Sequence, residues 1–462
     1  MQIVKTKQRI PIFDLLLGLG LLALGVVILI LPIYDLEDIF LLLFALMMFV
    51  CGIVGLISLL NREKYLPAAL CLVLCWTLSV LILMSHFGVI KATFVPCIVV
   101  GIVAMLLGIL RLVICGNCIV NKTGGALRNG ISGVACIAFA ILLLLNPVKS
   151  FGTLTFVVGF YLIFYGITSL FDAFASMFRF DLDESKTRRR THFAVPNIIT
   201  ALEPVRMIKR INKAREDGSV HGGMLVEVKP EADFDTVNLE VLVHLTTLGA
   251  NKFGHVDIAL GDKIYSYGTY DKSADRLGGF ISQGTFIIVP KIPYLKYCLD
   301  RQKKYVIGFG AALSQKQLDG VKAKIDELMS NCEPLESKYE IAVKNGEDGS
   351  KLNDPASNIV RDVGGEVYTV TKGRFRRYFG ISTNCVRVAD WLLSDSGLDR
   401  VSFSSISTPG GYYYMLQNMF RRAHTRLIRK TTYIVADEID DIEELRRLAR
   451  STKEELSTAK EQ

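Results

Sequence analysis

The pattern of hydrophobic and polar positions divides the chain near residue 180. Before that point uncharged apolar runs follow one another, and after it apolar and polar positions alternate as in a soluble protein. A helix needs roughly 20 apolar residues to cross about 30 Å of hydrocarbon. The first part therefore predicts six membrane-spanning helices, at residues 15–31, 40–60, 65–84, 92–110, 130–145 and 151–170.

Beyond residue 220 the pattern repeats every second residue, which predicts β-strands. The Gly261-Asp262 pair between two of them is typical of a hairpin turn. Ser314 is a favourable N-cap for a helix over 314–329, and another helix is predicted to begin at Cys385. Residues 333–362 are polar and glycine-rich, which indicates an insertion or a long loop. The predicted strands are 224–230, 238–247, 254–260, 263–268, 286–292, 306–310 and 365–373.

These elements predict four segments. Residues 1–180 form a multi-pass α-helical membrane domain, built from three helical hairpins. Residues 181–220 form a basic juxtamembrane linker, and residues 221–420 form a soluble α+β domain. A charged, helical tail follows at residues 421–462.

Composition and charge support a membrane protein. The chain of 462 residues is 51% hydrophobic and 21% charged, which is too apolar for a wholly soluble protein. The formal net charge of +8 is concentrated after the sixth span, where anionic lipid headgroups explain it better than nucleic acid. Lysine and arginine are concentrated in alternate loops between the predicted spans. This distribution predicts a plasma (inner) membrane protein with both termini and the soluble domain in the cytoplasm. The basic belt after the sixth span contains Arg188, Arg189, Arg190, Arg206, Lys209, Arg210, Lys213 and Arg215.

The cysteines do not indicate disulfides or metal binding. Seven of the ten lie in or beside the predicted spans, where they behave as small apolar residues. The other three, Cys298, Cys332 and Cys385, are widely spaced and odd in number. Cys115 and Cys118 have zinc-ligand spacing without a second pair or a nearby histidine. The sequence therefore predicts neither a metal site nor a cofactor.

The membrane part contains an internal repeat. Residues 18–32 and 130–147 are each a glycine-bearing apolar helix that ends in proline, and each is followed by a second helix with late glycines. This arrangement resembles the HdeD-like family of six-span bacterial membrane proteins over residues 10–178. That resemblance implies a role in acid stress and no catalytic residues.

Two residues of the soluble part have the pattern of a thiol nucleophile and its base. Cys385 follows Ser382, Thr383 and Asn384, all good N-cap residues, so it is predicted to lie in the first turn of a helix. Free backbone N–H groups there favour a thiolate and could stabilise an oxyanion. His255 lies on the polar face of a strand whose opposite face is apolar, which suits a residue that lines a cleft.

A glycine-histidine strand and hairpin, followed much later by Asn384-Cys385 at a helix start, resembles the circularly permuted papain-fold hydrolases of the NlpC type. The similar members are those related to YiiX and to lecithin:retinol acyltransferase, over residues 220–420. The stretch 404–416, with its Thr-Pro-Gly and tyrosines, is similar to their closing segment. The resemblance implies a permuted papain-like fold, with Cys385 as nucleophile and His255 as general base.

The third catalytic residue of these relatives is a polar side chain on the strand after the histidine. Counting along that strand as in the family leads to Tyr267, which lacks the charged or amide side chain usual at that position. The register is open from the sequence: a two-residue turn places Ser266 on the His255 face, and a three-residue turn places Tyr267 there. His244, on the preceding strand, is the competing base.

The leading hypothesis is a membrane-anchored cysteine hydrolase or acyltransferase that cleaves an amide or ester bond in a peptide or lipid. The alternative is a non-catalytic stress-response membrane protein whose papain-like domain binds a ligand. A transporter has only the span count in its favour. The expected partners are the bilayer and the substrate, without nucleic acid, and a homo-oligomer remains open.

Overall fold

The computed structural model divides into two compact units. One comprises Pro11–Gly116 and Gly125–Phe174, and the other comprises Met1–Ile10, Asn117–Gly124 and Ala175–Gln462. The structure describes residues 2–5, 12–30, 41–42, 44–46, 48–53, 56, 65–89, 94–123, 125–146, 151–177, 189–190, 224–229, 236–245, 254–276, 278–396, 398, 400–401, 408–421 and 425–434. The predicted linker, apart from Arg189–Arg190, and the predicted tail beyond residue 434 lie outside the described residues.

The N-terminal unit is helical. Its helices are α1 (Ile12–Ile30), α2 (Tyr65–His86), α3 (Val95–Val120), α4 (Ala126–Leu145) and α5 (Phe151–Met177). The last residues of α3, from Asn117, and of α5, from Ala175, belong to the other unit. Among the described residues three helical stretches are long and apolar enough to cross a membrane, namely Val95–Val120, Ala126–Leu145 and Gly152–Leu170. The first, second and third predicted spans correspond to shorter apolar helices, at Leu15–Ile30, Phe44–Ile53 and Leu72–His86, and the second lies partly outside the described residues.

Glycines allow these helices to approach closely. A Cβ atom added at Gly25 of α1 would lie 2.7 Å from the carbonyl oxygen of Gly159 in α5. One added at Gly166 would lie 2.8 Å from the carbonyl oxygen of Gly18. Because both distances are shorter than real Cβ contacts, the α1–α5 crossing depends on glycine. Close packing of backbones at small residues is the expected means of association in lipid.

Glycines also allow α3 and α4 to approach closely. A Cβ atom at Gly108 would lie 3.0 Å from the carbonyl oxygen of Gly133 and 2.6 Å from Ile137. Glycine therefore recurs at corresponding crossings, as the internal repeat in the sequence indicates.

The C-terminal unit contains a mainly antiparallel, ten-stranded sheet. Its order is β1-β3-β14-β9-β4-β5-β6-β8-β11-β10. The strands are β1 (Gln2–Lys5), β3 (Met224–Val228), β4 (Leu239–Leu245), β5 (His255–Leu260), β6 (Lys263–Gly268), β8 (Thr285–Pro290), β9 (Tyr305–Ala311), β10 (Cys332–Pro334), β11 (Glu366–Val370) and β14 (Leu427–Tyr433). Two small ribbons pair β7 (Ile281–Gln283) with β12 (Arg377–Phe379), and β2 (Arg189–Arg190) with β13 (Arg400–Val401).

Helices cover both faces of this sheet. One core contains side chains of α7 (Gln315–Met329), α10 (Cys385–Leu392) and α11 (Pro409–Arg421). The other contains side chains of α6 (Lys291–Asp300), α9 (Pro355–Asn358) and the π-helical turn Ile359–Val363. Alternation along each strand sends successive side chains to opposite cores.

The strand pattern predicted from the sequence is present, with two departures. The region 333–362 is not a loop, since it contains α8 (Lys338–Lys344), the 3-10 turn Gly349–Lys351 and α9. The predicted boundary at residue 420 is too early, because β14 lies inside the sheet between β3 and β9. A charged strand such as β14 is hard to recognise from periodicity alone.

We expect Gly25→Leu to destabilise the helical unit by about 1–3 kcal/mol, the usual cost of overpacking. Gly20→Leu on the same helix is the matched control, because a Cβ atom at Gly20 meets nothing within 4 Å. Thermal unfolding of the detergent-solubilised full chain would measure both changes. Equal melting temperatures for the two variants would contradict a glycine-dependent crossing.

Candidate active site

Cys385 is the first residue of α10, at the position that the sequence predicts. Asn384 is the N-cap, and its side-chain oxygen accepts a hydrogen bond from the backbone N–H of Arg387 at 3.2 Å. The first N–H groups of a helix have no acceptor inside the helix, and they point towards whatever occupies its N-terminus. The Cys385 side chain is therefore surrounded by positive potential, although only 3% of the residue is exposed.

His255 begins β5 and follows a glycine that the backbone requires. Gly254 has a φ of +75°, and a Cβ atom there would lie 2.6 Å from the carbonyl oxygen of His244. Any side chain at this position would push β5 away from β4 or strain the backbone. The glycine-histidine pair thus fixes where the imidazole enters the site.

The His255 imidazole lies between a carboxylate and the Cys385 sulfur. Its Nε2 atom is 2.9 Å from Oδ1 of Asp257 and 2.8 Å from Oγ of Ser266. The Cys385 sulfur is close enough to the ring to interact with it electrostatically. Because Nε2 faces Asp257 and Ser266, Nδ1 is the nitrogen left for the sulfur. The His255 side chain keeps 17% of its surface exposed, so the site has an accessible edge.

The environment favours the charged form of His255. Burial lowers the pKa of this imidazole, but Asp257 and Cys385 outweigh burial and raise its pKa to about 10. An imidazolium would therefore stand beside the sulfur at neutral pH. A cation next to a cysteine favours the thiolate, which is the nucleophilic form.

Asp257 is a fully buried carboxylate shared by two histidines. Burial raises the pKa of this carboxyl, but His255 and then His244 outweigh burial and hold the pKa well below its usual range. Oδ2 lies 2.7 Å from Nε2 of His244 and accepts a hydrogen bond from the Tyr294 hydroxyl at 3.2 Å. The Oδ1 contact with His255 departs from hydrogen-bond angles, so we describe it as an ion pair.

A chain of hydroxyl groups links the two ends of this ion pair. Ser266 Oγ lies 2.8 Å from the Tyr270 hydroxyl, and Tyr270 contacts Tyr294, which donates to Asp257. With the His255–Ser266 contact, these groups close a ring around the imidazole and the carboxylate. Such a network limits rotation of the His255 ring.

His244, the competing base, pairs with His255 across the two strands and contacts the other oxygen of the Asp257 carboxylate. Burial lowers the pKa of its imidazole, and the attraction of Asp257 does not offset burial. His244 is therefore neutral, and its ring stands edge-on to His255 with centroids 5.7 Å apart. The histidine that meets Cys385 is His255.

The hairpin turn has two residues, which decides the register left open by the sequence. Leu260 pairs with Lys263, so Ser266 lies opposite Asp257 on the His255 face. Tyr267 points to the other core, where its hydroxyl donates to the carbonyl oxygen of Phe375 at 2.7 Å. The structure does not bring Tyr267, the expected third residue, to the imidazole. The polar side chains that contact the His255 ring are Asp257 and Ser266.

Asp257 is the site residue whose role the sequence did not indicate. Its position on the polar face of β5, two residues after His255, is readable from strand alternation. What the alternation does not show is that the Asp257 carboxylate turns towards two imidazoles. The proteins that the sequence resembles have the third residue on the following strand, so their pattern leads away from Asp257.

These groups can carry out acyl transfer but do not form a metal site. Among the described residues no cluster of three or more histidine, cysteine or acidic side chains could hold a metal ion. Cys298 and Cys332 lie elsewhere, and burial raises the pKa of both thiols to about 12. Cys385 is the cysteine that lies beside His255.

Comparison with known proteins covers a small part of the chain. Residues 131–182 match a family described as a short repeat of unknown function (DUF308), which is membrane-associated and HdeD-like. No curated protein and no solved structure matches the chain. The repeat family and the three apolar helices fit a membrane-associated N-terminal region, and the C-terminal region is an antiparallel sheet domain.

We expect Asp257→Asn to lower the pKa of the His255 imidazole from about 10 to 6.5 or below, because burial is then less opposed. NMR titration of the chain labelled at histidine ring carbons would measure this change. Asp271→Asn, on the surface of the same domain, is the matched control. A His255 pKa unchanged by Asp257→Asn would contradict the ion pair.

The same ion pair predicts a pH-dependent stability. His255 has a folded pKa of about 10 against an ordinary value of 6.5, so its contribution is complete below 6.5 and is lost as pH rises through about 10. We therefore expect His255→Gln to lower the melting temperature more at about pH 6 than at about pH 10. An equal or larger loss at the higher pH would contradict this sign.

Proposed function

We propose that the protein is a membrane-anchored cysteine hydrolase or acyltransferase that forms a covalent acyl-enzyme on Cys385. The observation that carries this proposal is that Cys385, at a helix N-terminus, lies beside a histidine whose Nε2 atom is 2.9 Å from a buried aspartate. The resemblance to permuted papain-fold hydrolases supports the same assignment. The proposed location is the plasma membrane, with the soluble domain in the cytoplasm.

The first half of the reaction uses Cys385 and His255. The Cys385 thiolate attacks the carbonyl carbon of an amide or ester, and the carbonyl oxygen becomes an oxyanion. Backbone N–H groups at the start of α10 are positioned to stabilise that oxyanion, an effect typically worth about 10²–10³ in rate. His255 gives its proton to the leaving amine or alcohol, and a thioester remains on Cys385.

The second half regenerates the enzyme. Neutral His255 takes a proton from water, or from an acceptor alcohol or amine, as that group attacks the thioester carbonyl. The thioester bond breaks, and the sulfur leaves as a thiolate beside the recovered imidazolium. Asp257 keeps Nδ1 aimed at the sulfur throughout and stabilises the charged ring without contacting substrate.

A second candidate is a domain that binds a ligand without turnover. The observation in its favour is the burial of Cys385, which exposes only 3% of its surface. In this case the buried charges serve only to hold the fold. The two candidates differ in whether an acyl group ever becomes attached to sulfur.

We expect Cys385 to be acylated by activated esters in membranes that contain the full chain. After incubation with p-nitrophenyl acyl esters, mass spectrometry should show the acyl mass on the Cys385 peptide, removable by hydroxylamine. Cys385→Ser should abolish this adduct, and His255→Gln should slow its formation about 10²-fold or more. Cys332→Ser is the matched control and should leave the adduct unchanged.

An unmodified Cys385 peptide would contradict the proposal. So would a rate of acylation that is equal in the wild type and in His255→Gln, because the sulfur would then react without its base. Either result favours the ligand-binding alternative.

A further inference from the structure

An exposed basic segment leads into the nucleophile helix. Lys372, Arg374, Arg376 and Arg377 are all exposed, and residues 372–377 contain no acidic residue. None of these four side chains forms a salt bridge with the described part of the chain. Arg374 lies over the Trp391 ring, 5.7 Å from its centroid, and keeps its positive charge. Four cations in one short segment produce a strong local positive potential. With Phe280 they form a surface that we call the basic rim.

Phe375 holds the segment so that its cations face solvent. This residue is 2% exposed and has a φ of +63°, a conformation that is unfavourable for a side chain of its size. Its ring packs edge-on against Trp391, with centroids 5.4 Å apart, and its carbonyl oxygen accepts the Tyr267 hydroxyl. The fold therefore maintains a strained backbone that turns Arg374 and Arg376 outwards on either side of a buried anchor.

Phe280 adds an apolar group to the same surface. It precedes β7, the strand that pairs with β12, and its ring stacks edge-on against Phe379 with centroids 5.3 Å apart. Phe280 remains 37% exposed. Phe280 is joined to the basic segment through Phe379, which follows Arg377 on β12. Exposed aromatic rings together with arginines and lysines are typical of protein surfaces that lie in the headgroup region of a bilayer.

The rim is joined directly to the site. The backbone groups of Phe379 and Thr383 exchange hydrogen bonds at 3.0 and 3.1 Å, and Asn384, the N-cap of α10, follows. A ligand on the rim would therefore lie at the approach to Cys385.

The chain between two apolar helices contacts the rim. Asn121 belongs to the same compact unit as the rim, and its side-chain oxygen accepts the backbone N–H of Arg377 at 2.8 Å. Asn121 follows α3, which ends at Val120, and precedes α4, which begins at Ala126. Both helices are long and apolar enough to cross a membrane. A connection between two spans lies at a bilayer surface.

We propose that the basic rim binds the anionic phospholipid headgroups of the bilayer in which the chain is embedded. Phosphate groups pair with Lys372, Arg374, Arg376 and Arg377, and Phe280 packs among the upper acyl carbons. This contact places the approach to Cys385 at the lipid surface, so that, resting on the proposed function, the substrates are acyl groups of lipids or of lipid-attached proteins.

Hydrogen–deuterium exchange of the full chain in lipid nanodiscs would test the proposal. We expect the backbone amides of residues 374–380 to exchange several-fold more slowly in discs that contain phosphatidylglycerol than in pure phosphatidylcholine. Replacing the four rim cations by glutamine should remove this difference. The matched control replaces four exposed lysines elsewhere in the domain by glutamine, namely Lys316, Lys322, Lys338 and Lys351, and should retain it.

Two outcomes would overturn the proposal. The first is equal exchange of the wild-type segment in both kinds of disc. The second is equal protection by free inorganic phosphate in neutral discs, which would assign the rim to a small soluble anion. Melting temperatures establish that the variants fold. Cys385→Ser should keep the lipid-dependent protection, so failure of the thiol chemistry and failure of lipid binding are distinguishable.

Discussion

The buried carboxylate of Asp257 determines which groups must surround it and which of them carries a positive charge. Asp257 is removed from water between two strands, and an ionised group in such a place must be paired and hydrogen-bonded. Burial raises the pKa of this carboxyl, but His255 and His244 outweigh burial and hold the pKa well below its usual range. The Tyr294 hydroxyl also donates a hydrogen bond to the carboxylate. Since one carboxylate neutralises one cation, only one histidine carries charge. The partly exposed His255 is charged, and the fully buried His244 is neutral.

The geometry of the candidate site follows from this pairing. Asp257 and Ser266 occupy one nitrogen of the His255 ring, so the other is directed to Cys385. Cys385 and the residues of α10 that follow it pack in the core that contains Val256 and Ile258 of β5. A strand and a helix far apart in sequence thus meet through the fold. An imidazolium and a helix N-terminus converge on one sulfur, a combination that suits a nucleophile.

The basic rim and the helical unit give this site a context. The rim precedes the N-cap of α10 in the chain, and its Arg377 donates a backbone hydrogen bond to Asn121, which lies between two apolar helices. In the helical unit, glycines let backbones approach where no larger residue fits. The short repeat matched at residues 131–182 covers part of that unit. We propose that the approach to Cys385 lies at the surface of the bilayer in which the apolar helices anchor the chain.

The sequence by itself determined the elements of the fold. Apolar runs marked the membrane-associated region, although three of the six predicted spans reach bilayer-crossing length in the part of the chain that the structure describes. Alternation marked β4, β5, β6 and β8, and N-cap residues marked the start of α10, because these signals are local. Residues 333–362 were misread, since short polar helices there bury few residues and leave a weak periodicity.

Only the tertiary structure decided how the chemical groups meet. The sequence left two registers open for the hairpin, and a shift of one residue exchanges Ser266 for Tyr267 on the His255 face. The two-residue turn settled the register, and the Tyr267 hydroxyl donates a hydrogen bond to the carbonyl oxygen of the buried Phe375. Asp257 was visible as a polar position on β5, but its role depends on His244 from a neighbouring strand and Tyr294 from a helix. Local patterns specify which face a residue occupies, whereas a buried charge is defined by every element packed around it.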